Sequence, residues 1–359
     1  MNPPLAECVS VTRTFGPVVA VDHVDLQVSP GEVVGLLGAN GAGKTTLIRM
    51  LLGLLRVSAG KVRLFGQPPS RLTRRRIGYV PQGLGLYDDL TVAQNLEFAR
   101  AVFGPPGGAP AGPPAPLRPF ADTTVGELPL GIARRVAFTQ ALAHHPDLLI
   151  LDEPTSGVDP LARARLWETI QDTAEARAGV IVTTHYMEEA EECTRLVVMA
   201  AGKVVAEGTS AGIVGERRTV VVDSADWAAA LRLIEAAGLR ATLAGTTLRV
   251  PGATPATVKR ALAAVPGPVP ARVHEESATL EERFFELAGA PGGPARAAGG
   301  GAATAVPGRR SSPRRDAGSP TTDTTGRRSA GSPPTPVWIR PWSFISTEPK
   351  SGCSPRPCS

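Results

Sequence analysis

The run Gly38-Ala39-Asn40-Gly41-Ala42-Gly43-Lys44-Thr45-Thr46 constrains this chain more than any other stretch. Its spacing is G-x-x-x-x-G-K-[ST]. Val33-Val34-Gly35-Leu36-Leu37 precedes it and reads as a buried strand, and Leu47-Ile48-Arg49-Met50-Leu51-Leu52 follows and reads as a helix. A strand, a glycine-rich turn and a new helix in that order make a phosphate cradle. Glycines let several backbone N–H groups converge on one concavity, and the helix adds its positive end. Lys44 is placed to reach the β- and γ-phosphates of a nucleotide, and the Thr45 hydroxyl to ligate Mg²⁺.

A second apolar strand, Leu148-Leu149-Ile150-Leu151, ends in Asp152-Glu153-Pro154. It delivers two carboxylates at one strand end. Asp152 suits the Mg²⁺ shell, directly or through water. Glu153 suits a base that polarises an attacking water.

Around these strands the predicted elements alternate. Short strands fill residues 5–28, with a turn at Ser29-Pro30-Gly31-Glu32. A strand pair is expected at residues 61–65 and 77–80, and a helix at 91–103. Residues 104–119 carry proline at a density that predicts a stiff, extended linker. Helix resumes near residues 132–143. Helix 161–177, strand 180–183, helix 186–193 and strand 195–199 complete a pattern that predicts a largely parallel sheet covered by helices. From about residue 218 the order becomes β-α-β-β-α-β, with a hairpin about Ala244-Gly245 and a closing helix at 280–288, as in a small ferredoxin-like module.

Charge divides the 359-residue chain unevenly. Residues 291–359 hold ten Lys/Arg against three Asp/Glu, a net of +7; the whole chain is +5, which leaves −2 for residues 1–290. High basicity therefore gives no reason to expect nucleic-acid binding by the folded part. Residues 291–359 are Gly, Pro, Arg, Ser and Thr with few apolar side chains, and are expected to be disordered. Cys8, Cys193, Cys353 and Cys358 form no C-x-x-C pair, which argues against a disulfide framework or zinc site. No run of 18 apolar residues occurs and the first residues lack a signal-peptide pattern, so neither a membrane span nor a leader is expected.

With further motifs added, residues 5–215 resemble the nucleotide-binding subunit of an ABC transporter. Phe15, in Arg13-Thr14-Phe15-Gly16-Pro17, stands where that family places an aromatic that stacks on adenine. Gln82, in Tyr79-Val80-Pro81-Gln82, matches the glutamine that senses Mg²⁺ and links to the membrane subunit. Ser156-Gly157-Val158-Asp159 matches the loop that communicates across an ATP-bound dimer. His185, in Thr183-Thr184-His185-Tyr186, matches the histidine that contacts the γ-phosphate. The resemblance implies an α/β P-loop NTPase fold, with a largely parallel sheet, a helical subdomain and an antiparallel β subdomain. It implies ATP and Mg²⁺ as ligands, Glu153 and His185 as catalytic residues, and Thr45, Gln82 and Asp152 around the metal. A separate integral-membrane permease and a second ATPase subunit, identical or different, are the implied partners, at the cytoplasmic face of the membrane. The domain expectation is an ATPase domain at 5–215, a small α+β module at 218–290 and a tail at 291–359.

Two stretches depart from the family pattern. The expected Leu-Ser-Gly-Gly signature stands as Leu128-Pro129-Leu130-Gly131. In that family the segment binds the ATP held by the opposite subunit. Pro129 removes a hydroxyl and an N–H, Leu130 adds bulk, and Gly131 with the helix dipole remains. Slow or asymmetric hydrolysis is the expectation. The proline-rich stretch falls where the family's helical subdomain meets the permease. The segments Gly85-Leu86-Tyr87-Asp88-Asp89-Leu90-Thr91, His185-Tyr186-Met187-Glu188-Glu189-Ala190 and Ser277-Ala278-Thr279-Leu280-Glu281-Glu282-Arg283-Phe284-Phe285-Glu286-Leu287 resemble the daunorubicin and multidrug-resistance exporter ATPases. Export of drugs or other hydrophobic small molecules follows from that resemblance. A catalytically weak regulatory subunit and a soluble, non-transport ABC ATPase stand as alternatives.

Overall fold

The computed structural model describes residues 3–103, 112–264 and 271–289. Continuous apolar, β-branched runs build the centre. Val33–Leu37, Leu148–Asp152 and Gly179–Thr184 are buried at every position, as strands covered on both faces must be. They belong to a six-stranded sheet in the order Ile77–Val80, Leu148–Asp152, Gly179–Thr184, Val33–Leu37, Arg195–Ala200, Lys203–Gly208. All neighbours run parallel except the last, which is antiparallel. The carboxyl ends of Val33–Leu37, Leu148–Asp152 and Gly179–Thr184 therefore open at one edge, and the glycine-rich turn, Glu153 and His185 follow them there.

A three-stranded antiparallel sheet, in the order Val18–Val28, Ala6–Phe15, Ala59–Leu64, covers the helix Lys44–Leu51. The predicted pairing of residues 61–65 with 77–80 is therefore replaced. The first segment joins Ala6–Phe15 and the second pairs in parallel with Leu148–Asp152. A four-residue helix, Arg71–Arg74, closed by a Ser70–Thr73 capping box, turns the chain from one sheet to the other.

The helices Val92–Phe103 and Leu130–Leu142 share an apolar cluster of Val92, Leu96, Leu117 and Val136. Leu117 corrects the linker expectation. Residues 104–111 lie outside the described residues, but Ala115–Phe120 is a 3-10 helix rather than an extended strut. Proline's fixed φ suits a first helical turn, where its missing N–H costs nothing, and burying Leu117 offsets the ordering of the segment. Other helices shift by small amounts. The helix expected near 132 begins at Leu130, and the one expected over 186–193 is the shorter Met187–Glu191.

The later strands form a fully antiparallel sheet in the order Thr242–Ala244, Thr247–Pro251, Arg218–Ser224, Ala271–Ser277. With the helices Trp227–Ala236 and Pro255–Leu262 this has the predicted β-α-β-β-α-β order and ferredoxin-like arrangement. Its hairpin turns at Gly245-Thr246, with Gly245 at φ 65°, so the turn sits one residue later than Ala244-Gly245. The closing helix Leu280–Leu287 starts with a Thr279–Glu282 capping box. It buries Leu280 and Phe284 in the same cluster as Val33, Leu37, Val182 and Val198. The predicted disorder of 291–359 concerns residues outside those described.

Candidate functional site

Val33–Leu37 runs directly into the glycine-rich turn. Gly41 and Gly43 take φ of 82° and 102°, in the left-handed region that favours glycine. A Cβ on Gly43 would lie 2.4 Å from the Ala20 carbonyl oxygen, and one on Gly38 would lie 2.6 Å from that of Met199. Ala39, Asn40 and Gly41 are exposed, while Ala42 is buried and ties its N–H to Ala39. The helix Lys44–Leu51 then begins, with Thr45 and Thr46 half-buried in its first turn.

Lys44 is buried, and its Nζ donates to the carbonyl oxygens of Gly38 at 2.6 Å and Ala39 at 3.2 Å. Burial holds its pKa below the usual lysine value, against the opposing pull of Glu153 and Asp152. The Thr45 hydroxyl donates to Asp152 Oδ1 at 3.2 Å, and Thr183 Oγ1 donates to the same oxygen at 2.7 Å. The pair of hard oxygen ligands, Thr45 Oγ1 and Asp152 Oδ1, suits Mg²⁺, which takes few protein ligands and completes its shell with water and phosphate oxygens. Among the described residues no cluster of three or more His, Cys, Asp or Glu forms a dedicated metal cage.

One residue on, Glu153 sits at φ 50°, an uncommon backbone state for a residue with a side chain. Several contacts over-determine it. Its N–H donates to Thr183 Oγ1 at 2.8 Å, and its carbonyl oxygen accepts from Arg134 at 3.2 Å. The Arg134 guanidinium also donates to the Ser156 carbonyl at 2.6 Å. Arg134 is buried, which lowers its pKa, with Glu153 and Glu189 pulling the other way. This conformation aims the Glu153 carboxylate between two other predicted site residues. Gln82 Nε2 donates to Oε2 at 3.1 Å, and His185 Nδ1 lies 3.7 Å from Oε1. The His185 ring in turn packs tilted against Tyr186, with ring centroids 4.1 Å apart.

Lys44, Thr45, Gln82, Asp152, Glu153 and His185 thus come together. A second grouping holds the altered signature. Leu128 ends a short 3-10 turn and Pro129 stands at the N-cap of Leu130–Leu142 with no side-chain bond to the helix. Leu130 Cδ2 lies 3.1 Å from where a Cβ on Gly157 would be, and a Cβ on Gly131 would lie 3.8 Å from Asp159 Oδ2. Asp159 caps the helix Pro160–Glu175, accepting the N–H groups of Leu161 and Ala162 at 3.1 and 3.0 Å. Phe15 is half-exposed, with the Arg13 guanidinium 4.5 Å above its ring.

The sequence reading missed Arg134 and Thr183. Thr183 had a signal: with Thr184 it breaks an otherwise apolar strand at the end facing Asp152. Arg134 had only its place on a buried helix face.

With this geometry in view, comparison with known proteins is decisive. The family described as ABC transporter matches residues 21–156. A second family, described as AAA domain, putative AbiEii toxin, Type IV TA system, matches residues 124–189. The Nod factor export ATP-binding protein I of Burkholderia orbicola (strain AU 1054) is 37% identical over 293 residues, covering 78% of this chain and 95% of that protein. The chain belongs to the ABC transporter ATP-binding proteins. Another relative of this ABC protein is the probable multidrug ABC transporter ATP-binding protein YbhF of Escherichia coli (strain K12), 42% identical over 212 residues. That match covers 56% of this chain, which spans only 37% of YbhF's length. Among solved structures, an ATP-binding subunit of an ABC transporter aligns with TM-score 0.54 and 29% identity, covering 58% of this chain and 91% of its own. The cassette MJ0796, solved as a dimer bound to ADP and Pi, aligns at TM-score 0.51 and 23% identity over 57% of this chain and 98% of that one, which bears on the fold alone. Among the described residues of this ABC protein, no helix is long and apolar enough to cross a membrane.

Proposed function

We propose that this protein binds ATP with Mg²⁺ and hydrolyses it to drive a separate membrane permease from the cytoplasmic face, exporting drugs or other hydrophobic small molecules. The observation that carries this reading is the convergence of Gln82 and His185 on the Glu153 carboxylate, beside Lys44, Thr45 and Asp152. The glycine-rich turn and Lys44 hold the phosphate chain. Thr45 and Asp152, with Gln82 nearby, would hold Mg²⁺, and the ion would supply positive charge against the phosphates. Glu153 takes a proton from water as the water oxygen bonds to the γ-phosphorus. The bond from that phosphorus to its bridging oxygen breaks, giving ADP and inorganic phosphate. His185 and Gln82 orient the carboxylate and the γ-phosphate. A second ATPase subunit completes each site, since the signature helix Leu130–Leu142 belongs to the ATP bound opposite. The permease, the paired subunit and the exported class belong to this proposal on the strength of the relatives' names and the motif resemblance.

Phosphate release by the purified protein, alone and with its permease, tests the reading. Glu153→Gln should lower kcat by about 10²–10⁴-fold, the range of a general base, with ATP still bound. Full turnover in that variant removes Glu153 as the base. A second reading, a weak regulatory subunit beside an active partner, is favoured by Pro129, which leaves its helix without a side-chain cap. Turnover only in the presence of a second, different ATPase subunit would select it.

A further inference from the structure

Glu189 lies on the short helix Met187–Glu191 and is almost wholly buried, at 2% exposure. A buried carboxylate needs partners, and the ones it has are informative. Oε1 accepts the Thr155 hydroxyl, and Oε2 accepts the Thr184 hydroxyl at 2.7 Å. Thr155 and Thr184 are each 1% exposed. Arg163 Nε, on the helix Pro160–Glu175, stands 3.7 Å from Oε1 and supplies the nearby positive charge. Thr184 Oγ1 also accepts the Tyr186 N–H at 3.0 Å, closing a turn about His185. Thr155 lies two residues after Glu153, and Thr184 one before His185.

We propose that Glu189 is a positioning residue for ATP hydrolysis: its buried carboxylate ties the turn that carries His185 to the loop that follows Glu153, and so sets their separation. This rests on the proposed function. The two segments leave neighbouring parallel strands, Leu148–Asp152 and Gly179–Thr184, whose ladder ends at Asp152 and Thr183. Beyond that point the backbone no longer fixes one loop against the other, and Glu189 bridges them. The 3.7 Å between His185 Nδ1 and Glu153 Oε1 lies outside hydrogen-bond range, so that contact alone does not hold the pair. Asp159, which faces Gly131 of the signature segment, follows Thr155 on the same loop. The loop that Glu189 anchors at Thr155 thus also carries Asp159.

The test uses the full chain and reads kcat, ATP KM, the unfolding midpoint and backbone amide exchange. Glu189→Ala should lower kcat about tenfold or more while leaving KM within about twofold, the pattern of a lost transition-state arrangement. Glu189→Gln keeps the shape and one acceptor oxygen, and offers an amide to the other hydroxyl, so it should recover most of that loss. In the double variant Glu189→Ala, His185→Ala the loss should not exceed that of His185→Ala by more than about twofold, because the two act through one arrangement. A purely structural role predicts multiplying losses. Unchanged kcat in Glu189→Ala, no recovery in Glu189→Gln, or multiplying losses would overturn the proposal. Should Glu189→Ala not fold, Thr155→Val cuts one arm alone, and an unchanged kcat there overturns it equally. Amide exchange needs no turnover. Protection at Tyr186 should fall about tenfold or more in Glu189→Ala, as its acceptor loosens. Undiminished protection refutes the tie. A wild-type protein without turnover would sink the proposed function, and the exchange result would then decide Glu189 by itself.

Discussion

Lys44 donates to the carbonyl oxygen of Gly38 at 2.6 Å, so the ammonium is folded onto the loop that carries it. The second bond, to Ala39, makes it the clasp of the turn. Phosphate oxygens offer stronger, charged acceptors at the same loop. Lys44→Ala should therefore weaken ATP binding by about 10–100-fold, the worth of one or two charge-assisted hydrogen bonds. Titration with a fluorescent ATP analogue checks this, and an unchanged Kd would remove Lys44 from phosphate binding.

Leu130 bears on Gly157, where the family pattern has a glycine. Pro129 neither caps its helix nor offers a donor. Pro129→Ser, Leu130→Gly restores both and clears the approach to the helix end. One or two recovered bonds of about 1.5–3 kcal/mol each imply turnover about tenfold higher or more. Equal phosphate-release rates for the two proteins would show that the altered signature does not limit hydrolysis.

What the sequence made legible was contiguous. The glycine-rich turn, Asp152-Glu153 and His185 are short strings at strand ends, and their chemistry follows from residue types in order. What it hid was set by topology. Arg134 reaches residues 19 and 22 positions away, Thr183 reaches Asp152 across 31, and Glu189 reaches Thr155 across 34. Those distances close only once the parallel strands are in register. The partner of the strand expected at residues 61–65 was hidden for the same reason, since nothing local in Ala59–Leu64 names Ala6–Phe15 as its neighbour. The proline-rich stretch failed differently. Proline suits an extended strut and a first helical turn alike, and Leu117, which needed burial, decided between them.

Arg134 supports the uncommon backbone of Glu153 through two carbonyls. Arg134→Met fills the space without donors and leaves two acceptors unpaired. Breaking that pair of bonds should cost about 2–4 kcal/mol in urea unfolding, and kcat should fall about tenfold as Glu153 relaxes from φ 50°. Lost stability with full kcat per folded molecule would confine Arg134 to folding.

His144 gives the chain an acid-sensitive contact away from the site. Its Nε2–H donates to the Ile77 carbonyl at 3.1 Å, its ring stacks on Phe103 at 4.8 Å, and its Nδ1 is buried without a hydrogen-bond partner. Protonation places a second N–H where nothing accepts it. Burial therefore lowers the folded-state pKa below 6.5, against the smaller opposing effect of the Ile77 bond. The sign follows from proton binding. Below about pH 6.5 the unfolded chain takes up a proton that the folded chain resists, so stability is present above that pH and is lost as pH falls through the folded pKa. The slope from this one group is at most about 1.4 kcal/mol per pH unit. His144→Gln keeps a donor for Ile77 but does not titrate. Urea unfolding from pH 8 to pH 5 should show a shallower acid loss in the variant than in the wild type, and parallel curves would rule His144 out as the source.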